Sequence, residues 1–112
     1  MHMELEEVAP GVTKANLVGR LDIGGSQDID LRFNALTGSC RSLIVDLSQV
    51  EFIASMGLRT LIVGARTVAR KGGRMVLFQP VIAVEAVLVS SGTDNVAPIL
   101  RNLDEAIRAV SG

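Results

Sequence analysis

The chain contains no tryptophan and no tyrosine, and its only aromatic residues are Phe33, Phe52 and Phe78. Three scattered phenylalanines make no platform on which single-stranded bases could stack. Histidine is almost missing too, since the one example, His2, lies in a Met1-His2-Met3 start that resembles a cloning remnant. Without an internal histidine there is no Ser-His-Asp relay, no Cys-His pair and no histidine-ligated zinc. Cys40 stands alone, which excludes an internal disulfide and a multi-cysteine metal site. A basic excess is also lacking: Lys plus Arg total 11 against 12 for Asp plus Glu, a formal net charge of −1. Chains that read nucleic acid or lie on anionic lipid ordinarily carry the opposite imbalance, so neither is an expected partner. No apolar run reaches the roughly 18 residues of a membrane span, and no basic segment leads into an apolar one. The expectation is a soluble, cytoplasmic protein with no direct insertion into a membrane.

What is present suits one compact domain. Of 112 residues, 48% are apolar and 21% charged, enough to bury a core and too apolar for disorder. Pro10-Gly11 separates Glu4–Ala9 from Val12–Val18, and Thr13, Ala15 and Leu17 alternate with Lys14 and Asn16. This predicts two antiparallel strands with one solvated face. Past the Gly24-Gly25 break, Ser26 is expected to cap a helix with Asp28 and Asp30 in its first turn and Ile29, Phe33 and Leu36 along one side. Leu43–Leu47 and Arg74–Phe78 are short apolar runs of the kind a parallel sheet covers on both faces. Between them, Ser48–Ala54 is expected to be a connection. An amphipathic helix should follow, with Leu58, Leu61, Ile62, Ala65, Val68 and Ala69 facing inward and Arg59, Arg66 and Arg70 outward. It should end at Arg70, Lys71 and Gly72-Gly73. Pro80 is placed as the first residue of a third helix carrying Val81, Val84, Val87 and Leu88, which stops at Ser90-Ser91-Gly92. Val96–Leu100 suits a short edge strand, and Asn102 a cap for a last helix with Leu103, Ala106, Ile107 and Val110 on one side. The order predicts an α/β domain with a mixed sheet and crossover helices.

The informative stretch runs from Val45 to Leu58, a strand, a connection and a helix start with Ser55 at that start. The plain reading of Ser55 is an N-cap, whose hydroxyl accepts a hydrogen bond from a free backbone N–H. The alternative is a phosphoacceptor. A phosphate there would meet the positive helix end and leave the fold intact while changing a partner-facing surface. Gly57 keeps the backbone bare beside the hydroxyl, open to a partner's close approach. Asp22 reads as a turn former ahead of Gly24-Gly25, and the three arginines are a solvated face or a dock for an acidic partner. Cys40 beside Arg41 reads as an ordinary loop thiol or one with a lowered pKa.

Asp46-Leu47-Ser48-Gln49-Val50-Glu51-Phe52-Ile53-Ala54-Ser55-Met56-Gly57-Leu58 resembles the motif of STAS domains, specifically bacterial anti-sigma factor antagonists. Gly19-Arg20-Leu21-Asp22, Gly72-Gly73 and Ser91-Gly92 fall where that family has similar features. The resemblance covers most of the chain and implies a single STAS domain over residues 3–111, with a sheet of four to five strands and about four helices. It implies a switch rather than an enzyme, with no cofactor of its own. The unphosphorylated antagonist would bind an anti-sigma factor that is also a serine kinase and so regulate transcription. Phosphorylation at Ser55 would release it, and a PP2C-type phosphatase would reset it. Arg20, Asp22, Gly24, Ile53, Ala54, Met56, Gly57 and Leu58 fall at the implied partner-binding positions. Ala54 and Met56 depart from the family's usual Asp before, and frequent Ser or Thr after, the phosphoacceptor. Those departures keep a constitutive STAS scaffold, in a signalling complex or a lipid transporter, as the alternative. Nucleotide binding ranks behind both, since the chain has no P-loop and no Gly-x-Gly-x-x-Gly.

Overall fold

The computed structural model of the chain describes residues 1–111. Pro10-Gly11 forms a tight two-residue turn in which Gly11 takes a φ of +74°, a conformation that costs glycine nothing. It joins β1 (His2–Ala9) to β2 (Val12–Leu21) in an antiparallel hairpin. The chain continues through α1 (Ile23–Ser39), β3 (Ser42–Ile53), α2 (Ser55–Arg70) and β4 (Arg74–Phe78). It closes with α3 (Ile82–Ser90), a 3₁₀ turn at Thr93–Asn95, β5 (Ile99–Leu100) and α4 (Leu103–Val110). The sheet order is β1-β2-β3-β4-β5, and every pair after the first is parallel. This is the expected α/β architecture, a mixed sheet of five strands with four helices.

The alternation of strand side chains divides the apolar runs between two cores. Leu43, Val45, Leu47, Met75 and Leu77 face a large core closed by Ile29 and Phe33 of α1, Leu61, Ala65 and Val68 of α2, and Val84 and Leu88 of α3. Ile44, Val76 and Phe78 face the other way, onto Ala106 and Val110 of α4. Next to this smaller core Lys14 Nζ lies 3.2 Å from an Asp46 carboxylate that also accepts from the Ser48 N–H and hydroxyl. Nothing in the local sequence marks that pair, because it depends on the β2–β3 register.

Five expectations are corrected. The first helix starts at Ile23, not after Ser26, and its cap is Asp22, whose carboxylate accepts from the Gly25 N–H at 2.8 Å. Ser26 is buried, and its hydroxyl finds no partner among the described residues. The Gly24-Gly25 pair does not break the chain: a Cβ on Gly25 would run into the Arg20 carbonyl, so the helix start needs a bare residue there. Ser48–Ala54 is not a connection, for β3 continues through Ile53, paired with β2 alone and with register shifts near Val18 and Arg20. Pro80 precedes α3, where Val81 is the cap and Ile82 the first residue. The edge strand shrinks to Ile99–Leu100, because Val96 still closes the 3₁₀ turn and Pro98 has no N–H to pair.

The last cap is where the sequence places it. Asn102 Oδ1 accepts from the Glu105 N–H at 3.0 Å. Asn102→Ala is expected to cost about 1 kcal/mol in urea unfolding, the usual worth of such a cap. An unchanged midpoint would show that packing alone holds α4.

Candidate functional site

The parallel register brings the ends of β2 and β3 together, with Leu21 beside Ile53. The Ala54 N–H donates to the Leu21 carbonyl at 3.0 Å, so the exits of both strands are tied. Two helices therefore start side by side, one capped by Asp22 and one by Ala54. Clefts at the carboxyl ends of parallel strands are where open α/β sheets place their binding groups.

The two starts differ chemically. Asp22 fills the N-cap of α1 with a carboxylate. Alanine at the cap of α2 has no side-chain acceptor, and the cap makes no side-chain hydrogen bond. Ser55 is the first helical residue, exposed, and its hydroxyl forms no hydrogen bond among the described residues. The plain reading of Ser55 as a cap therefore does not hold. Its hydroxyl lies free beside first-turn N–H groups that no side chain accepts from, where added negative charge is favoured.

Arg20 and Phe52 are register partners, and the guanidinium stacks over the ring at 4.4 Å from its centroid. Its Nε lies 3.5 Å from Asp22 Oδ2. Phe52, 41% exposed, and Met56, 40% exposed, are large apolar side chains left open to solvent near Ser55 in sequence. The stack could not be read from the sequence, since bulges in β2 and β3 decide which residues meet. The Asp22 carboxyl is held below the usual carboxylate range, chiefly by the Gly25 N–H and further by Arg20. A carboxylate whose folded pKa is depressed contributes stability above its unfolded pKa, and that contribution is lost as pH falls through the folded value. Asp22→Asn keeps an acceptor at the cap without the charge. Its deficit relative to wild type is expected at neutral pH and should vanish in acid, read by denaturant midpoints at each pH. A deficit that persists in acid would contradict the charge assignment.

The residues implied by resemblance separate into three groups by exposure. Arg20, Gly24, Ser55 and Met56 are exposed, while Asp22, Ala54 and Leu58 are half-buried. Ile53 and Gly57 are buried and face inward. Gly57 is bare for the opposite reason to the one expected: a Cβ there would strike the Leu21 carbonyl and approach Leu21 Cγ to 2.7 Å. It lets α2 sit on the end of β2 rather than exposing backbone to a partner. Along α2, Ser55, Met56, Leu58, Arg59, Ile62, Val63 and Arg66 line a shallow groove of about 580 Å³. Among the described residues no cluster of three metal-ligating side chains forms, and no helix is long and apolar enough to cross a membrane.

Comparison with known proteins places this arrangement. No curated protein matches the chain in sequence. Among solved structures it is similar to an anti-sigma factor antagonist from Mycobacterium paratuberculosis, at 24% identity and a TM-score of 0.87, covering 99% of this chain and 94% of that one. It is also similar to the Bacillus cell fate determinant SpoIIAA in its phosphorylated form, at 20% identity and a TM-score of 0.72, over 96% and 99% of the two chains. A third likeness, at 21% identity and a TM-score of 0.70, is to the murine anion transporter Slc26a9, covering 91% of this chain but only 18% of that one. The STAS domain model matches residues 5–106, and the chain belongs to the STAS domain family.

Proposed function

We propose that the chain is an anti-sigma factor antagonist whose association is governed by phosphorylation of Ser55. The observation that carries this reading is the exposed, unbonded Ser55 hydroxyl at the start of a helix with no side-chain cap. A kinase can reach it, and a phosphate of about −1.5 to −2 charge would rest against the positive end of α2 without disturbing the core. The partner is an anti-sigma factor of the serine-kinase type, which binds the neutral serine and its apolar neighbours. Once phosphorylated, the site would force a dianion to be desolvated at the interface, and affinity falls. A PP2C-type phosphatase restores the starting state. The likeness to anti-sigma factor antagonists supports the reading, as does one relative described in a phosphorylated form. The chain itself acts as a binding switch and carries out no catalysis.

Incubation with such a kinase and ATP is expected to place one phosphate on Ser55, located by peptide mass, and none on Ser55→Ala. Phosphate on another residue, with Ser55 unmodified, would contradict the assignment. Ala54, which leaves no carboxylate beside the serine, favours a second reading as a constitutive scaffold in a signalling complex or transporter. That reading predicts partner binding with no phosphate incorporation.

A further inference from the structure

We propose that the outward face of α2 is a docking surface for an acidic amphipathic helix of another protein. Across its sixteen residues α2 carries Arg59, Arg66 and Arg70 and no carboxylate. All three arginines are exposed, and none forms an ion pair among the described residues. Outside α2, Lys14 pairs with Glu6 and Asp46, Arg20 with Asp22 and Arg101 with Glu85, while Arg32, Arg41 and Lys71 donate to backbone carbonyls; the three arginines of α2 have neither kind of partner among the described residues. A merely solvated helix face usually intersperses both signs, and here Arg66 and Arg70 stand one turn apart with like charge, which is unfavourable in isolation. From Phe52 to Val84 the sequence holds five cations and no acid at all, although the whole chain is net negative.

Apolar surface lies between these charges. Met56 is 40% exposed and Val63 45%, and with half-buried Leu58 and Ile62 they line the same groove as Arg59 and Arg66. Arg59 and Arg66 are seven residues apart, about 10 Å along the axis. A helix laid along the groove meets that spacing with two carboxylates seven residues apart, and offers leucines between them to Met56, Ile62 and Val63. The mixture of cations and exposed apolar side chains along one helix favours such a helix over nucleic acid, which has no apolar side to bury here. The surface starts beside Ser55 but does not require that residue to be phosphorylated.

The probe is a fluorescent synthetic helix with leucine on one side and glutamate on the other, together with its isosteric glutamine version. Anisotropy is read on the full chain at low and high salt. The glutamate peptide is expected to bind at least about tenfold more tightly than the glutamine peptide, with the difference shrinking in salt. Arg59→Glu with Arg66→Glu is expected to remove that preference, and Met56→Ser with Val63→Ser to weaken both peptides. Arg108→Glu, on α4 across the sheet, should change neither. Equal binding of the two peptides, or full binding by the double charge reversal, would overturn the proposal. So would equally tight binding of a labelled single-stranded DNA, which would assign the face to nucleic acid. The assay contains neither kinase nor nucleotide, so its failure leaves Ser55 phosphorylation untouched, and absence of phosphorylation leaves this surface standing.

Discussion

Gly57→Ala is expected to lower stability by about 2–3 kcal/mol, although alanine is the better helix former by about 1 kcal/mol. The added Cβ would collide with the Leu21 carbonyl and reach within 3.0 Å of Ile53 Cγ1. Neither neighbour can yield cheaply. Leu21 and Ile53 are paired across β2 and β3, and the same Leu21 carbonyl accepts from the Ala54 N–H at 3.0 Å. Relief requires α2 to slide from the sheet, which opens space around Leu61, Ala65 and Val68 in the larger core. Gly38 supplies the contrast: it also lies in a helix, but nothing stands within 4 Å of its Cβ position. Gly38→Ala is expected to gain about 0.5–1 kcal/mol. Urea unfolding of the two variants separates steric demand from helix preference. A Gly57→Ala protein as stable as wild type would show that α2 does not sit this closely on β2.

Ser55→Asp is expected to weaken binding to the anti-sigma kinase by about a hundredfold or more while leaving the unfolding midpoint unchanged or slightly raised. The two effects have separate origins. A carboxylate at the first position of α2 meets the positive helix end, which stabilises the fold slightly. At the proposed interface, which would receive a neutral hydroxyl, it must shed water, a cost of several kcal/mol in a buried setting unless a cation pairs with it. Ser55→Ala removes the hydroxyl without adding charge and is expected to retain most of the affinity. Calorimetric titration of the three proteins, with a melt of each, reads both quantities. Loss of affinity accompanied by a collapsed melting temperature would assign the effect to folding instead of charge.

Much of the architecture is legible in the residue pattern where local chemistry decides it. β4 keeps its expected bounds, Arg74–Phe78, because Gly72-Gly73 and Gln79-Pro80 bracket a run that is apolar on both faces. Asn102 is a readable cap because a polar residue stands directly before an amphipathic stripe. What the pattern hides is set by neighbours distant in sequence. Ser48–Ile53 looks mixed in polarity because only β2 pairs with it, so strand character there comes from the partner and not from its own alternation. Gly24-Gly25 reads as a breaker, yet Gly25 is demanded by the Arg20 carbonyl against which α1 starts. At the candidate site the motif around Ser55 singles out the residue, while the structure sets its position: Ala54 takes the cap, and the serine hydroxyl is left free. The Arg20–Phe52 stack escapes the sequence because two register shifts decide which side chains meet.

The most direct test of the account is calorimetric titration of the proposed serine-kinase anti-sigma factor with two forms of this chain, unmodified and stoichiometrically phosphorylated on Ser55, at one salt concentration. The account predicts saturable binding of the unmodified form and at least about a hundredfold loss on phosphorylation, with superimposable circular dichroism. Equal affinities for the two forms would contradict it.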